Sequence, residues 1–258
     1  MRHRSQYDAA APAFNRRRAL PESVPSAIRT AVIAAVAPLT QPRLLDLGAG
    51  AGRIGRAFVE AGDDYVGLDL SHAMLRAFRP AASLVLADGA HLPFADEAFD
   101  AVLMVQVLNS TQDWRPVVAE ARRVLTSGGV LISGRTKAPD DGIDSHLKQV
   151  LADILRDMGH DPYRSAAHED ALDWLTALTG TGDTQIVARW PAERTPRQFI
   201  ERHGSGARFS GLPGDIRHAA MDALRHRIEV DMGSLDRVAS EVHQFELHIF
   251  RFHPGASR

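Results

Sequence analysis

The stretch Leu44–Gly55, LLDLGAGAGRIG, constrains the fold of this chain more than any other. An apolar run is followed by glycines at 48, 50 and 52 and then by helix-forming residues. This order predicts a buried strand that ends in a tight turn and opens into a helix, where the main chain can approach a ligand closely. Such turns bind dinucleotides such as NAD or sulfonium nucleosides, and the glycine pattern alone does not separate the two.

Three acidic residues help to separate these ligand classes. Asp46 lies two residues before the first glycine, where a carboxylate suits an ammonium group and would repel a pyrophosphate. Asp69 ends the next predicted strand and would accept ribose hydroxyls in either class. Asp88 follows the third predicted strand, a position that suits an adenine amino group. The first and third acids favour the sulfonium nucleoside.

The surrounding pattern predicts an α/β fold. Apolar segments predict strands at 43–47, 64–68, 83–86, 99–105, 128–133, 184–190 and 242–252. Helices are predicted near 24–39, 52–61, 71–79, 114–125, 143–158, 167–179, 196–203 and 214–231. Strands that alternate with helices predict right-handed βαβ units and a parallel sheet, and the later helices interrupt that rhythm.

Composition excludes several kinds of protein. The 258 residues are 45% hydrophobic and carry a formal net charge of -2, so a full core is expected and a polyanionic partner is not. The chain has no cysteine, which excludes disulfides, thiolate metal sites and a cysteine nucleophile. No signal peptide, membrane-spanning run or metal-ligand spacing is found. These observations predict a cytoplasmic protein without a bound metal.

Four stretches in order carry a family resemblance: LLDLGAGAGRIG, VGLDLSHAML, ADGAHLPFADEAFDAV and EARRVLTSGGVLIS. Together they resemble the class I S-adenosylmethionine-dependent methyltransferases, in the small-molecule branch of the ubiquinone/menaquinone-biosynthesis type. The resemblance implies a Rossmann-like, doubly wound seven-stranded sheet whose last strand is antiparallel. It also implies a helical lead or lid at 1–40, a methyltransferase domain at 41–258 and an inserted helical cap at 195–236.

The resemblance also implies a cofactor site for S-adenosyl-L-methionine, which leaves as S-adenosyl-L-homocysteine. Asp46 would face the methionine amino group, Asp69 the ribose and Asp88 the adenine amino group. The full set carried over is Tyr7, Asp46, Gly48, Ala49, Gly50, Gly52, Asp69, Leu70, Met74, Asp88, Gly89, Ala90 and Gln106. The sequence departs from the family at Gly89, where alanine is usual, and at RVLTSGG, which replaces a lysine-proline turn.

Methyl transfer from a sulfonium is an in-line displacement that needs alignment and exclusion of water more than a catalytic triad. A general base is optional. By position, the candidate catalytic residues are Asn109, Arg135 and His146, and the candidate acceptor-binding residues are His203, Arg208 and Phe209. His243 and His248 lie five apart on the last predicted strand, hence on opposite faces, and cannot share a metal.

The sequence therefore predicts an enzyme that transfers a methyl group from S-adenosylmethionine to a small molecule. A nucleic-acid methyltransferase is one alternative, although QVLNST stands where an Asn/Asp-Pro-Pro-aromatic motif would be expected. A protein that binds the nucleoside without turnover and a nicotinamide oxidoreductase are further alternatives. The acceptor, the methylated atom and the oligomeric state stay open.

Overall fold

The computed structural model describes residues 20–108, 113–160, 166–180, 182–204 and 212–252. These residues form two compact units. The first contains the described residues up to Arg135, then Ala166–Ala188 and the described residues from Phe245 onward. The second contains the described parts of Thr136–Ser165 and Arg189–Gln244. The predicted cap at 195–236 therefore belongs to the same unit as the helix predicted at 143–158.

Seven strands form one mixed sheet in the order β3-β2-β1-β4-β5-β7-β6. They are β1 Leu44–Leu47, β2 Tyr65–Asp69, β3 Ser83–Leu86, β4 Phe99–Val105, β5 Leu125–Lys137, β6 Asp183–Arg194 and β7 Ala239–Arg251. Strands β1 to β5 are parallel. Strand β7 runs against β5, because Gly128 N–H donates to Phe252 O at one end while Gly134 lies beside Phe245 towards the other. The predicted seven-stranded sheet with antiparallel pairing at its end is confirmed.

Eight helices lie in the described residues. They are α1 Ser23–Ala35, α2 Arg56–Glu60, α3 His72–Ala77, α4 Arg115–Val124, α5 Ile143–Asp157, α6 Ala166–Thr179, α7 Pro196–Gly204 and α8 Gly214–Met232. Two differ from the prediction. Helix α1 ends before Pro38, which has no N–H to continue the helix, and Leu39 is half-exposed. Helix α2 begins only at Arg56 because the glycine turn continues through residues 52–55.

The core of the first unit lies against the parallel strands. Most side chains of β1, β2 and β4 are apolar and buried on both faces, as expected for a sheet covered on both sides. Helix α4 contributes the buried face Val117, Val118, Ala121 and Val124, which recurs at helical spacing. The sheet side of this core includes Leu45, Phe99, Val102, Met104 and Leu131, all fully buried. This packing fixes the strand ends that carry the site.

The second unit has a hydrophobic core of its own. On α5, Leu147, Leu151 and Leu155 recur every four residues and are buried. Their partners are Phe199 and Ile200 of α7 and Ala220, Met221, Leu224 and Ile228 of α8. A hydrophobic core of its own is typical of a compact, domain-like unit.

Candidate functional site

The sheet order places the predicted site residues along one edge. Strands β1 and β4 are neighbours, and the chain order reverses between them. The crevice at the carboxyl ends of such strands is where open α/β sheets bind ligands. The glycine turn follows β1, and Gln106 follows β4. Asp69 ends β2, and Asp88 comes soon after β3.

The glycine turn is held by the neighbouring strand. Gly48 N–H and Ala49 N–H both donate to Leu68 O, at 2.8 and 2.9 Å. Gly48 has φ +86°, and a Cβ there would lie 2.5 Å from Val107 Cγ2. Glycine tolerates this positive φ and has no Cβ that would overlap Val107. The turn therefore brings its main chain close to β4, as a ligand cradle requires.

Asp69 connects the turn to the following loop. Its Oδ2 accepts from Gly50 N–H at 2.9 Å, and its Oδ1 accepts from Ser71 N–H at 2.8 Å. The two backbone amides thus fix the Asp69 carboxylate at the end of β2.

The two apolar residues predicted near the adenine lie in different surroundings. Leu70 is 56% exposed beside Asp69, whereas Met74 is buried. Met74 N–H donates to the Ser71 hydroxyl at 3.3 Å, which caps α3. Leu70 is therefore open to a ligand, while Met74 supports the loop from inside.

Asp46 is buried below the turn. Its side chain is 2% exposed, and its Oδ2 accepts a hydrogen bond from the Tyr65 hydroxyl at 2.7 Å. Burial raises the pKa of Asp46 to about 7, although the Tyr65 hydrogen bond acts in the opposite direction. Burial and the nearby Asp46 raise the pKa of Tyr65 as well, so Tyr65 stays a donor. The Tyr65 ring packs between Phe58 and Phe78, with centroids at 5.9 and 6.1 Å.

Substitution of Gly55 by alanine tests this arrangement. The new Cβ would overlap the Tyr65 hydroxyl and lie 2.6 Å from Tyr65 Cζ. We expect the ring to move away from Asp46 and the free energy of unfolding to fall by about 3 kcal/mol, from overpacking and a lost buried hydrogen bond. Urea unfolding followed by circular dichroism measures it. Gly214→Ala is the control, since a Cβ there meets nothing within 4 Å; equal stability of the two variants would contradict the assignment.

Gln106 has a backbone conformation that is rare outside glycine. Its φ is +58°, and its N–H donates to Gly134 O at 2.8 Å on the neighbouring strand β5. Such a conformation costs roughly 1–3 kcal/mol and is found mainly where the surrounding structure enforces it for function. The next residue, Val107, is the one that packs against Gly48. Gln106 is therefore fixed at the end of β4 beside the glycine turn.

The loop after β3 is held by a pair of charged residues that sequence reasoning missed. Within it, Asp88 Oδ1 accepts from Ala90 N–H at 2.9 Å. Glu120 on α4 accepts from Leu92 N–H at 2.7 Å, and Arg123 donates to Leu92 O at 3.1 Å. Arg123 also binds Glu120 directly, with Nε–Oε1 at 2.7 Å. The EARR stretch contained both residues, but only the fold shows that they anchor this loop.

Arg135, a predicted catalytic residue, lies near the end of β5 within a polar cluster. It donates to Glu169 of α6 at 2.8 Å and to Glu246 of β7 at 3.2 Å. His168 and His248 lie beside it, with ring centroids 5.9 Å apart. Both ring nitrogens of His168 are buried and lack a hydrogen-bond partner within the described residues. Burial and the Arg135 charge lower the pKa of His168 to about 4, so this ring is neutral near pH 7.

The other predicted acceptor-side residues divide into two groups. His146 is exposed on α5, and His203 of α7 packs its ring 4.2 Å from that of Phe199; both belong to the second unit. Asn109, Arg208 and Phe209 lie outside the described residues, as does Tyr7 of the predicted cofactor set. The structure therefore places the cofactor residues from Asp46 to Gln106 in the first unit, and His146 and His203 in the second.

Comparison with known proteins identifies the family. The family profile described as a methyltransferase domain matches residues 45–133, the part that forms this site. A demethylmenaquinone methyltransferase of Renibacterium salmoninarum is 30% identical over 170 residues, covering 64% of this chain and 70% of that protein. The chain belongs to the class I S-adenosylmethionine-dependent methyltransferases. An uncharacterized methyltransferase of Mycobacterium bovis is 35% identical over 197 residues, covering 73% of this methyltransferase and 74% of that one.

Solved structures share the fold of the methyltransferase. The YcgJ protein of Bacillus subtilis matches with a TM-score of 0.54 at 20% identity, covering 89% of this chain and 99% of that one. The [4+2]-cyclase SpnF matches with a TM-score of 0.55 at 18% identity, covering 96% and 95%. At such identities the likeness concerns the fold alone.

Two further features are absent from the described residues of the methyltransferase. No helix within the described ranges is long and apolar enough to cross a membrane. In the same ranges, no group of three or more histidines and carboxylates is arranged to hold a metal ion.

Proposed function

We propose that this methyltransferase transfers the methyl group of S-adenosylmethionine to a small-molecule acceptor. The observation that carries the proposal is the Asp69 carboxylate, held by Gly50 N–H and Ser71 N–H at the end of β2. This position matches the one predicted for ribose recognition. The name of the Renibacterium relative, a demethylmenaquinone methyltransferase, supports a small acceptor. We also propose that the protein is cytoplasmic.

The residues of the first unit fit the nucleoside chemically. Asp69 would accept the ribose hydroxyls, and the exposed Leu70 would cover the adenine. Asp88, whose side chain is 56% exposed, would accept from the adenine amino group beside Gly89 and Ala90. The turn residues Gly48, Ala49, Gly50 and Gly52 would present their main chain to the methionine and ribose.

Asp46 and Gln106 would act on the amino-acid end of the cofactor. Asp46 is buried and its pKa is raised, although Tyr65 and Arg53 oppose that shift, so the methionine ammonium would favour its ionised form on binding. Gln106, fixed by its backbone, would lie under the sulfonium arm. S-adenosylmethionine supplies an activated methyl group and a neutral leaving thioether. The protein then has to align the acceptor and exclude water.

For the acceptor, the proposal names residues and their general roles without individual contacts. Asn109, Arg135 and His146 are proposed catalytic residues, and His203, Arg208 and Phe209 are proposed to bind the acceptor. Of these, Arg135 already binds two carboxylates, which favours a positioning role over proton transfer. Tyr7 with the lead at 1–40, and the segment 195–236, are proposed as lid and cap.

A thermal-shift titration tests the cofactor assignment. S-adenosylmethionine, S-adenosylhomocysteine and NAD are added separately to the purified protein. A ligand at about a hundred times its Kd adds roughly 2.7 kcal/mol of stability. We expect the melting temperature to rise with both sulfur nucleosides and to stay unchanged with NAD. A rise with NAD alone would overturn the proposal.

A further inference from the structure

A buried carboxylate–histidine pair lies in the second unit, and the proposed function assigns it no role. Glu241 and His243 are two residues apart on β7, so their side chains share one face of the strand. His243 Nε2 and Glu241 Oε1 are 2.6 Å apart, and the two side chains are 4% and 5% exposed. The pair is therefore shielded from bulk water.

The Glu241 carboxylate is held at both oxygens. Its Oε2 accepts from Ile143 N–H, at 3.1 Å, in the first turn of α5. The backbone at Gly142 leaves no room beside it, since a Cβ there would lie 2.5 Å from the same oxygen. A carboxylate fixed as an acceptor requires the proton of a neutral His243 to be on Nε2. Nδ1 is then the ring's hydrogen-bond acceptor.

Two buried polar atoms of the second unit have no hydrogen-bond partner in the part of the chain that the structure describes. One is His243 Nδ1, an acceptor, and the other is Arg194 Nε, a donor on β6. Leaving such a group unpaired costs about 1–3 kcal/mol, and folded proteins rarely do so. Arg194 interacts electrostatically with Glu241, the partner of His243, so a single polar ligand would pair both atoms.

The surrounding groups indicate the charge of that ligand. Arg202 Nη2 lies 2.6 and 2.7 Å from the two oxygens of Asp144, so these charges neutralise each other. Burial and the neighbouring Arg202 lower the pKa of Arg194, while Asp144 and Glu241 oppose that shift. Two arginines thus face two carboxylates. A balanced set of this kind suits a neutral, weakly acidic molecule better than a polyanion.

We propose that Glu241 and His243 form a proton-accepting pair that binds the ionisable hydroxyl of the methyl acceptor, a phenol or enol. The hydroxyl donates to His243 Nδ1, and an oxygen of the same ligand accepts from Arg194 Nε–H. On ionisation the O–H bond breaks, its electron pair stays on oxygen, and the proton moves to Nδ1. The resulting imidazolium stays paired with Glu241. The proposal rests on the proposed function only for the ligand's identity as the methyl acceptor.

The wild-type protein with S-adenosylhomocysteine bound gives the first test. Nitrogen-15 NMR of labelled histidine reports the tautomer of His243, and 4-nitrophenol is the probe because its visible absorption reports its ionisation. Without the probe we expect a proton on Nε2 and none on Nδ1. With it we expect Nδ1 to become protonated and the absorption to shift to that of the phenolate. A proton on Nδ1 with a bare Nε2 before any probe is added would overturn the proposal.

Variants give the second test. We expect His243→Gln to abolish the absorption shift and Glu241→Gln to weaken 4-nitrophenol binding at least tenfold, because the orienting carboxylate is lost. The matched control is His226→Gln, an exposed histidine on α8 of the same unit. Equal 4-nitrophenol binding by wild type and His243→Gln would overturn the inference. S-adenosylhomocysteine should stabilise the wild type and every variant. If it does not stabilise the wild type, that result counts against the proposed function and not against this inference.

Discussion

Replacement of Asp69 by alanine is expected to weaken the binding of S-adenosylhomocysteine by about ten- to a hundredfold. A hydrogen bond to a charged group contributes roughly 1.5–3 kcal/mol, and about 1.4 kcal/mol corresponds to a factor of ten. The substitution also removes the acceptor for Gly50 N–H and Ser71 N–H, so the turn loses part of its support. Isothermal titration calorimetry measures the affinity directly.

The control for this experiment is Asp64→Ala, at the residue that precedes β2. The Asp64 side chain is 58% exposed, and its nearest cation, Arg43, is 3.9 Å away. Such a surface pair contributes about 0–1 kcal/mol, so affinity should be unchanged. If Asp69→Ala folds and still binds like Asp64→Ala, the ribose assignment fails.

The second large effect is on the pH dependence of stability, where Asp46 and His168 act in opposite directions. Burial raises the pKa of Asp46 from 3.8 to about 7 in the folded protein. As pH rises from about 4 to 7, the unfolded chain ionises first, so stability falls by up to roughly 4 kcal/mol. Above pH 7 Asp46 is ionised in both the folded and the unfolded protein, so it causes no further loss of stability.

His168 gives the opposite slope. Burial and Arg135 lower its pKa from 6.5 to about 4. As pH falls from about 6.5 to 4, the unfolded chain takes up the proton first, and stability falls by up to roughly 3 kcal/mol. Both groups therefore act in nearly the same pH window, and in the wild type their contributions largely cancel.

Single substitutions should reveal each slope. Relative to wild type, Asp46→Asn should gain stability as pH rises from 4 to 7, and His168→Gln should lose it. Urea unfolding at unit pH intervals measures both differences. Asp64→Asn and His226→Gln, at two separate exposed positions, are the controls. For each we expect a curve of stability against pH that is parallel to that of the wild type. Parallel curves for Asp46→Asn as well would show that the carboxyl group is not buried as described.

The sequence predicted best what depends on neighbours along the chain. The strand, glycine turn and helix from Leu44 follow from local chemistry, and so does the position of Asp69 at a strand end. The Tyr65–Asp46 hydrogen bond could not be predicted, because it depends on how two parallel strands are aligned. The predicted start of α2 near residue 52 was wrong for a local reason, because the glycine turn continues to residue 55.

The acceptor side shows a different limit. From the sequence, His243 was compared with His248, and a spacing of five residues on a strand excludes a shared face. The informative neighbour was Glu241, because a spacing of two on a strand places both side chains on one face. That the pair is buried and touches Ile143 depends on α5, about a hundred residues earlier in the chain. Periodicity indicates faces, but only the packing shows which of them meet.

The division into two units, each with its own core, has a consequence for how this methyltransferase can change. The chain crosses the boundary at four places, after residues 135, 165, 188 and 244. The matched methyltransferase segment, residues 45–133, ends before the first crossing. With the acceptor bound by residues of the second unit, as we propose, selection can change that unit while the first unit is inherited unchanged. Chimaeras joined at those four positions offer the same modularity to enzyme engineering.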